Sequence, residues 1–389
     1  MGILGVTEPA FMQDQDISMF TAAVEKFYAR HATSEACERW REQGFVDPEL
    51  WQQAAQAGLL CASIPTEYGG AGGDFRHEAI LAMLAIRLGV DGFAVSLHNV
   101  IVAPYILNYG TQAQKQRWLP RMATGKFIAA IAMTEPGTGS DLAAVRTTAR
   151  KDGDGYVING AKTFISNGQL ANLICVVAKT DPEAGGRGIS LFMVETDDVA
   201  GFRRGRNLDK IGCEAQDTSE LFFDDVRVSD DCLLGEVEGM GFRQLTTQLA
   251  KERLLIALQA VAAMERALEE TLSYVKDRQV FGQRLVDFQN TQFKLAECKT
   301  KAVLAKVFCN HCMGLLLEDR LDADTAAMAK YWTTEAQGIV VDECLQLFGG
   351  YGYMNEYPIA RLYRDSRISR IFGGTNEIMK MLIAHTMMS

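Results

Sequence analysis

A chain of 389 residues with 48% hydrophobic positions can bury a large core and divide into two or three units. Its 49 acidic and 39 basic side chains give a formal net charge of −10, which argues against nonspecific nucleic-acid binding and obliges an anionic ligand to find a local basic pocket. Apolar runs such as Leu173–Ala178 fall far short of the ~20 residues that a membrane helix needs, so no membrane span is expected.

The start of the chain lacks a basic segment followed by a small-residue cleavage site and turns acidic at Asp14 and Asp16, so no export signal is expected. Nine cysteines without a repeated spacing read as reduced thiols. Both features point to a bacterial cytoplasm or, for a mature eukaryotic chain, to the mitochondrial matrix.

Residues 1–127 carry Ala, Leu, Gln and Glu at helical spacing. Leu50–Leu59 is the clearest stretch, with Asp47-Pro48 read as an N-cap and a first-turn proline. Loop residues from Ile64 to Gly73 interrupt this helical unit. Residues 128–239 change to short β-rich runs, Tyr156–Gly160, Leu173–Ala178, Ile189–Val194 and Leu221–Phe223, parted by Asp, Gly and Pro. That pattern predicts a β-barrel or sandwich. Residues 240–389 return to helix, with Leu245, Leu249, Ile256, Ala260 and Ala263 on one stripe, followed by Phe293–Leu317 and Ala326–Phe348. A helical bundle is expected there. The order makes an α+β protein without βαβ alternation, which disfavours a Rossmann fold. Gly70-Ala71-Gly72 and Gly137-Thr138-Gly139 agree, since each lacks the later glycine of the dinucleotide fingerprint.

Several segments carry chemistry. Glu252 lies three residues after Leu249 and four before Ile256, which puts its carboxylate on the apolar stripe. Burial would raise its pKa and suit it to removing a weakly acidic carbon-bound proton; an ion pair with Lys251 or Arg253 is the competing reading. The block Ile131–Leu142, rich in Gly, Pro and hydroxyls, can approach a planar ligand closely and offer it backbone N–H groups. Lys162–Gly168 adds a strand aromatic with a hydroxyl two positions later, and Arg278–Gly282 offers a guanidinium fork for phosphate. Cys309-Asn310-His311-Cys312 sits between apolar helical flanks and reads as packing rather than a metal site.

These blocks, with Lys251–Leu255, Gln346–Gly352 and Ile371–Ile378, occur in the order in which the flavin-dependent acyl-CoA dehydrogenases carry their motifs. The chain resembles that family from about residue 15 to 385, and its long-chain branch most of all. The resemblance implies an N-terminal helical domain, a middle β-barrel or sandwich domain and a C-terminal four-helix bundle. It implies FAD as cofactor, a homotetramer built as a dimer of dimers, an electron-transferring flavoprotein as redox partner, and α,β-dehydrogenation of medium-to-long acyl-CoA to trans-2-enoyl-CoA. Glycine stands at Gly373, where many relatives carry the catalytic glutamate, so the base falls to Glu252, as in the long-chain and isovaleryl branches. By the same resemblance Ile131, Met133, Thr134, Gly139, Ser140, Phe164, Ile165 and Ser166 line the flavin. Arg278, Phe281 and Gln289 reach a neighbouring subunit's flavin, Gln346, Gly349 and Gly350 meet its adenine half, and Thr375, Asn376 and Glu377 are further flavin contacts. Ser140, Arg187, Arg253, Gly373 and Gly374 are assigned to the acyl-CoA. Two other functions fit the same motifs: flavin oxidase or monooxygenase chemistry, and a catalytically silent acyl-CoA- or flavin-binding scaffold.

Overall fold

The computed structural model describes residues 2–388, with Met1 and Ser389 outside the described residues. The N-terminal part folds as α1 (Gln15–His31), α2 (Ser34–Gln43), α3 (Pro48–Gln56), α4 (Phe75–Leu88), α5 (Ala103–Tyr109) and α6 (Gln112–Ala123). Local chemistry sets their starts. Asp14 accepts from the Ile17 N–H, and reciprocal capping boxes pair Asp74 with His77 and Thr111 with Gln114. Helix α3 does begin with Pro48, but the Asp47 side chain caps nothing. Arg39 and Gln43 take it instead, because a charge-assisted bond outcompetes a backbone N–H. A π-helical stretch, Leu97–Val102, runs directly into α5. Pro104, which has no N–H to give to a regular ladder, stands at that junction.

The middle of the chain forms β1 (Ala129–Ala132), β2 (Thr148–Asp152), β3 (Gly155–Ser166), β4 (Leu173–Lys179), β5 (Ile189–Glu195), β6 (Phe202–Asn207) and β7 (Thr218–Ser229). They make one seven-stranded sheet ordered β1-β4-β2-β3-β7-β6, with β5 paired to β4. Strand β4 is buried on both sides. Leu173, Cys175 and Val177 pack into a core shared with α5 and α6, while Ile174, Val176 and Ala178 pack into the sheet's own core. The β3–β7 pairing shifts register between Ile158 and Gly160 and again between Lys162 and Ile165. The second irregularity lets Phe164 take a left-handed backbone, φ 59°.

The C-terminal part comprises α7 (Gly241–Asp277), the short hairpin β8 (Gln279–Val280) and β9 (Gln283–Arg284), then α8 (Gln289–Leu317), α9 (Ala323–Leu347), α10 (Pro358–Ser366) and α11 (Asn376–Met388). Helix α9 packs against α7, α8, α10 and α11. Leu254, Leu258, Val261 and Met264 of α7 share a core with Cys309 of α8 and Val340 and Cys344 of α9. Burial pushes the Cys309 thiol up, and the Cys312 thiol to about 11, as for packing sulfurs rather than reactive ones. No helix among the described residues is long and apolar enough to cross a membrane.

Helix α7 belongs to two cores. Leu245, near its start, packs with Tyr105, Leu191 and Leu234, whereas from Leu254 onward it packs within the bundle. Glu252 lies between them, where the three parts of the chain meet. Of the expected stripe, Leu245, Ala260 and Ala263 are buried, but Leu249 and Ile256 are only half-buried.

Candidate active site

The Glu252 side chain leaves α7 at this junction and is 5% exposed. The Tyr105 hydroxyl donates to its Oε1 at 3.3 Å. No lysine or arginine among the described residues lies within ion-pair distance of it, so the expected competitor, a salt bridge to Lys251 or Arg253, does not form. Lys251 instead lies over the Phe75 ring, 5.4 Å from its centre. Burial pushes the Glu252 carboxyl up to about 7, against the opposing pull of the Tyr105 hydrogen bond and the charges of Arg253 and Lys251. A carboxylate poised near neutrality is a base matched to carbon acids.

The hydroxyl therefore tunes the carboxyl. Tyr105→Phe removes a donor that favours the ionised form, so the acidic limb of the pH–rate profile should move up by about one unit. Stopped-flow rates across pH 5–9 check this, and an unmoved limb removes Tyr105 from the role.

Gly373 and Gly374 form a turn with φ of 65° and 89°. A Cβ on Gly373 would lie 2.5 Å from Ile256 Cδ1, one helical turn from Glu252, and one on Gly374 would lie 2.8 Å from Met379 Cε. The left-handed backbone is what favours glycine at both positions, since the atoms a Cβ would meet are the movable tips of Ile256 and Met379. The N–H groups of Gly373, Gly374 and Thr375 donate to nothing among the described residues. Arg253, 5% exposed, lies beside Gly374, and its Nε also finds no partner among the described residues. Thr375 accepts from the Ile378 N–H at 3.4 Å, so it caps α11 as well. The Asn376 amide is taken up inside the protein, donating to Thr334 Oγ1 at 3.0 Å and Glu335 Oε1 at 3.1 Å. Glu377 is exposed.

The two expected flavin blocks are stitched together by a buried ion pair. The wholly buried Lys162 donates to Met133 O at 3.1 Å and Glu135 Oε1 at 2.9 Å. Glu135 also accepts the N–H groups of Arg146 at 2.7 Å and Thr147 at 2.9 Å, and the Thr163 N–H reaches Thr134 O at 2.9 Å. Burial pulls the Lys162 ammonium down to about 8. Burial alone would raise Glu135, but Lys162 and the N–H donors outweigh it and hold that carboxyl low. Past this clamp, Phe164 projects 67% exposed and Ser166 is half-buried, while Gly139 and Ser140 are exposed. Ile131 and Ile165 turn inward, into the helix-facing and sheet cores respectively, so their side chains do not face a ligand. Met133 packs on the cluster that contains Tyr105, which joins these blocks to Glu252.

A second group of expected site residues lies elsewhere. Arg278 ends α7, about 39 Å along the helix from Glu252 at 1.5 Å per residue. Its guanidinium is 5.6 Å from the centre of the Tyr351 ring. Phe281, at the tip of the β8–β9 hairpin with φ 49°, is 98% exposed. Gln289, Gln346, Gly349 and Gly350 are exposed on the same end of the bundle, where Tyr274 stacks on Phe348 at 4.2 Å. One chain thus presents a site around Glu252 and a separate exposed face around Phe281. Arg187 is exposed on a loop whose Gly186 lies against Phe242 of α7.

Three polar groups at the site carry no motif of their own: Tyr105, the Glu135–Lys162 pair, and Lys330 of α9, whose Nζ donates to Gly374 O at 2.8 Å. The signal for Lys330 was present, a lone cation among Ala326, Ala327, Ala329 and Thr333 on an otherwise apolar helical face.

The sequence matches three family models: "Acyl-CoA dehydrogenase, N-terminal domain" over residues 14–126, the middle domain over 130–226, and the C-terminal domain over 239–388. It is 47% identical over 381 residues to the mitochondrial long-chain specific acyl-CoA dehydrogenase of Mus musculus, covering 97% of this chain and 87% of that protein. A subunit of the caffeyl-CoA reductase–Etf complex of Acetobacterium woodii is 34% identical, with 94% and 96% covered. The crystal structure of an acyl-CoA dehydrogenase from Geobacillus kaustophilus superposes with a TM-score of 0.95 at 45% identity, over 97% of this chain and 100% of that one. The likeness runs through helical, sheet and bundle parts alike, with the buried glutamate and the diglycine turn meeting where they join, and this chain belongs to the acyl-CoA dehydrogenase family of flavoprotein oxidoreductases.

Proposed function

We propose that the protein is an FAD-dependent dehydrogenase that converts a medium-to-long acyl-CoA to its trans-2-enoyl-CoA and passes the electrons to an electron-transferring flavoprotein. One observation carries the reading: Glu252 is a buried carboxylate, poised near pH 7, with no cationic partner among the described residues and beside a turn whose N–H groups find no acceptor among them. The residues suit the flavin. An exposed aromatic in left-handed backbone stands beside a glycine-rich loop. For the acyl-CoA, Arg253 offers a buried Nε that has no acceptor among the described residues. FAD, when bound, supplies the two-electron acceptor for the β-hydrogen.

The chain's own residues do the rest. Glu252 takes the α-proton. The free N–H groups of the Gly373–Thr375 turn hold the thioester oxygen, which lowers the acidity barrier at the α-carbon. Met133, Thr134, Gly139, Ser140, Phe164 and Ser166, with Thr375 and Glu377, bind and orient the isoalloxazine. Ile131, Ile165 and Asn376 contribute main chain or support. Ser140 and Arg187 meet the CoA portion. Arg278, Phe281, Gln289, Gln346, Gly349 and Gly350 complete the neighbouring subunit's site, since their face lies remote from Glu252. This arrangement supports sites shared between two subunits, and the dimer of dimers is carried over from the family.

Anaerobic mixing of holoenzyme with a ladder of straight and branched acyl-CoAs tests the assignment. Flavin bleaching with enoyl-CoA formation, strongest for longer straight chains, is expected, as is slow reoxidation of the product complex by air. Rapid stoichiometric peroxide would make the protein an oxidase, and no bleaching with any thioester would make it a binding scaffold.

A further inference from the structure

The diglycine turn is held by a single ammonium group. Lys330 is wholly buried, and its Nζ donates to Gly374 O at 2.8 Å and to Asn376 Oδ1 at 2.9 Å. No carboxylate among the described residues comes within ion-pair distance of Lys330 or of its neighbour Arg253. A buried charge without a counterion is destabilising where a methionine of similar length would fill the space, so packing does not explain a lysine here. Two such cations stand together at one turn in a chain of net charge −10.

The carbonyl that Lys330 grips belongs to the same peptide group as the Thr375 N–H. An ammonium on the oxygen polarises that peptide and makes its N–H a stronger donor. Asn376, the other acceptor, is pinned by Thr334 and Glu335, so the lysine ties the C-terminal side of the turn to α9.

We propose that Lys330 is a positioning residue for the thioester: it locks the Gly373–Gly374 turn through Gly374 O, strengthens the free Thr375 N–H, and with Arg253 favours the negative charge that gathers on the thioester oxygen as the α-proton leaves. This inference rests on the acyl-CoA dehydrogenase reading above. Burial, and then the charge of Arg253, pulls the ammonium down to about 8, opposed by Glu377 and Glu335. Arg253 faces it from α7, Glu335 from its own helix and Glu377 from α11. The charged form holds at neutral pH and is lost as pH rises through about 8.

The test uses holoenzyme and a long acyl-CoA whose β-CH2 is replaced by sulfur, so that oxidation is blocked and only α-hydrogen exchange with D2O is read. Lys330→Met should slow exchange per bound FAD by about 10- to 100-fold, with analogue affinity falling much less. Lys330→Arg should restore most of the rate and move the alkaline limb up out of range, a change that a merely structural lysine would not produce. Exchange in Lys330→Met within about 3-fold of the parent overturns the proposal. Should that variant fail to hold FAD, the Lys330→Arg profile decides alone: an alkaline limb that stays near 8 overturns it. A parent enzyme with no exchange at all would instead sink the acyl-CoA reading itself.

Discussion

Glu252→Gln yields a yellow holoenzyme whose flavin acyl-CoA no longer bleaches at a useful rate, with reduction slowed about 10²- to 10⁴-fold, the range for losing a general base. Glutamine keeps the size and can still accept from the Tyr105 hydroxyl, so FAD content should be unchanged. The same variant gains stability, because the native carboxyl is held near 7 against an ordinary 4.5. For an acid whose folded-state pKa is raised, the folded state binds the proton more tightly, so stability declines as pH rises from about 4.5 through 7. Ionised Glu252 therefore lowers stability by up to about 3 kcal/mol above pH 7, a penalty that fades toward pH 4.5. Unfolding at pH 8 and pH 5 should show Glu252→Gln more stable at the first and nearly equal at the second. Undiminished bleaching, or a pH-independent stability difference, would falsify the assignment of Glu252 as the poised base.

Lys162→Met should cause the largest loss of stability, about 3 to 5 kcal/mol, because Glu135 is left buried without its counterion. Its two backbone donors, Arg146 and Thr147, place the expected cost toward the lower figure. FAD content should fall too, since Lys162 ties the Met133–Glu135 segment to the strand that carries Phe164. The double variant Glu135→Gln/Lys162→Met should recover part of both, because it removes the stranded charge along with the lysine. Denaturant unfolding and flavin content measure the two effects. A single-variant loss below about 1 kcal/mol with FAD fully retained would show that the clamp holds nothing together.

Much of the architecture follows from near-neighbour rules and was legible residue by residue. Helical periodicity in α7 and α9, and the β-branched runs of β4 and β5, are local patterns whose outcome hardly depends on distant chain. Three strands of the large sheet show no such pattern: β1, with Ala-Ala-Ile-Ala, β2, with Thr-Ala-Arg-Lys-Asp, and β6, with Phe-Arg-Arg-Gly-Arg-Asn. Small and charged residues carry no β signal of their own, and these segments are strands because β4, β3 and β7 offer them ladders.

At the site, sequence by itself determined that Glu252 sits on an apolar helical stripe and that no side chain at Gly373 can act as a base. It could not say that Lys251 and Arg253 would turn away, that Asp47 would be drawn from its helix by Arg39, or that Ile165 would point into a core. Tyr105 stands 147 residues from Glu252 and Lys330 stands 44 from Gly374. Tertiary structure alone decided those pairings, because the energy of a buried charge depends on which polar groups the fold brings around it, and packing across distant segments, rather than spacing along the chain, chooses them.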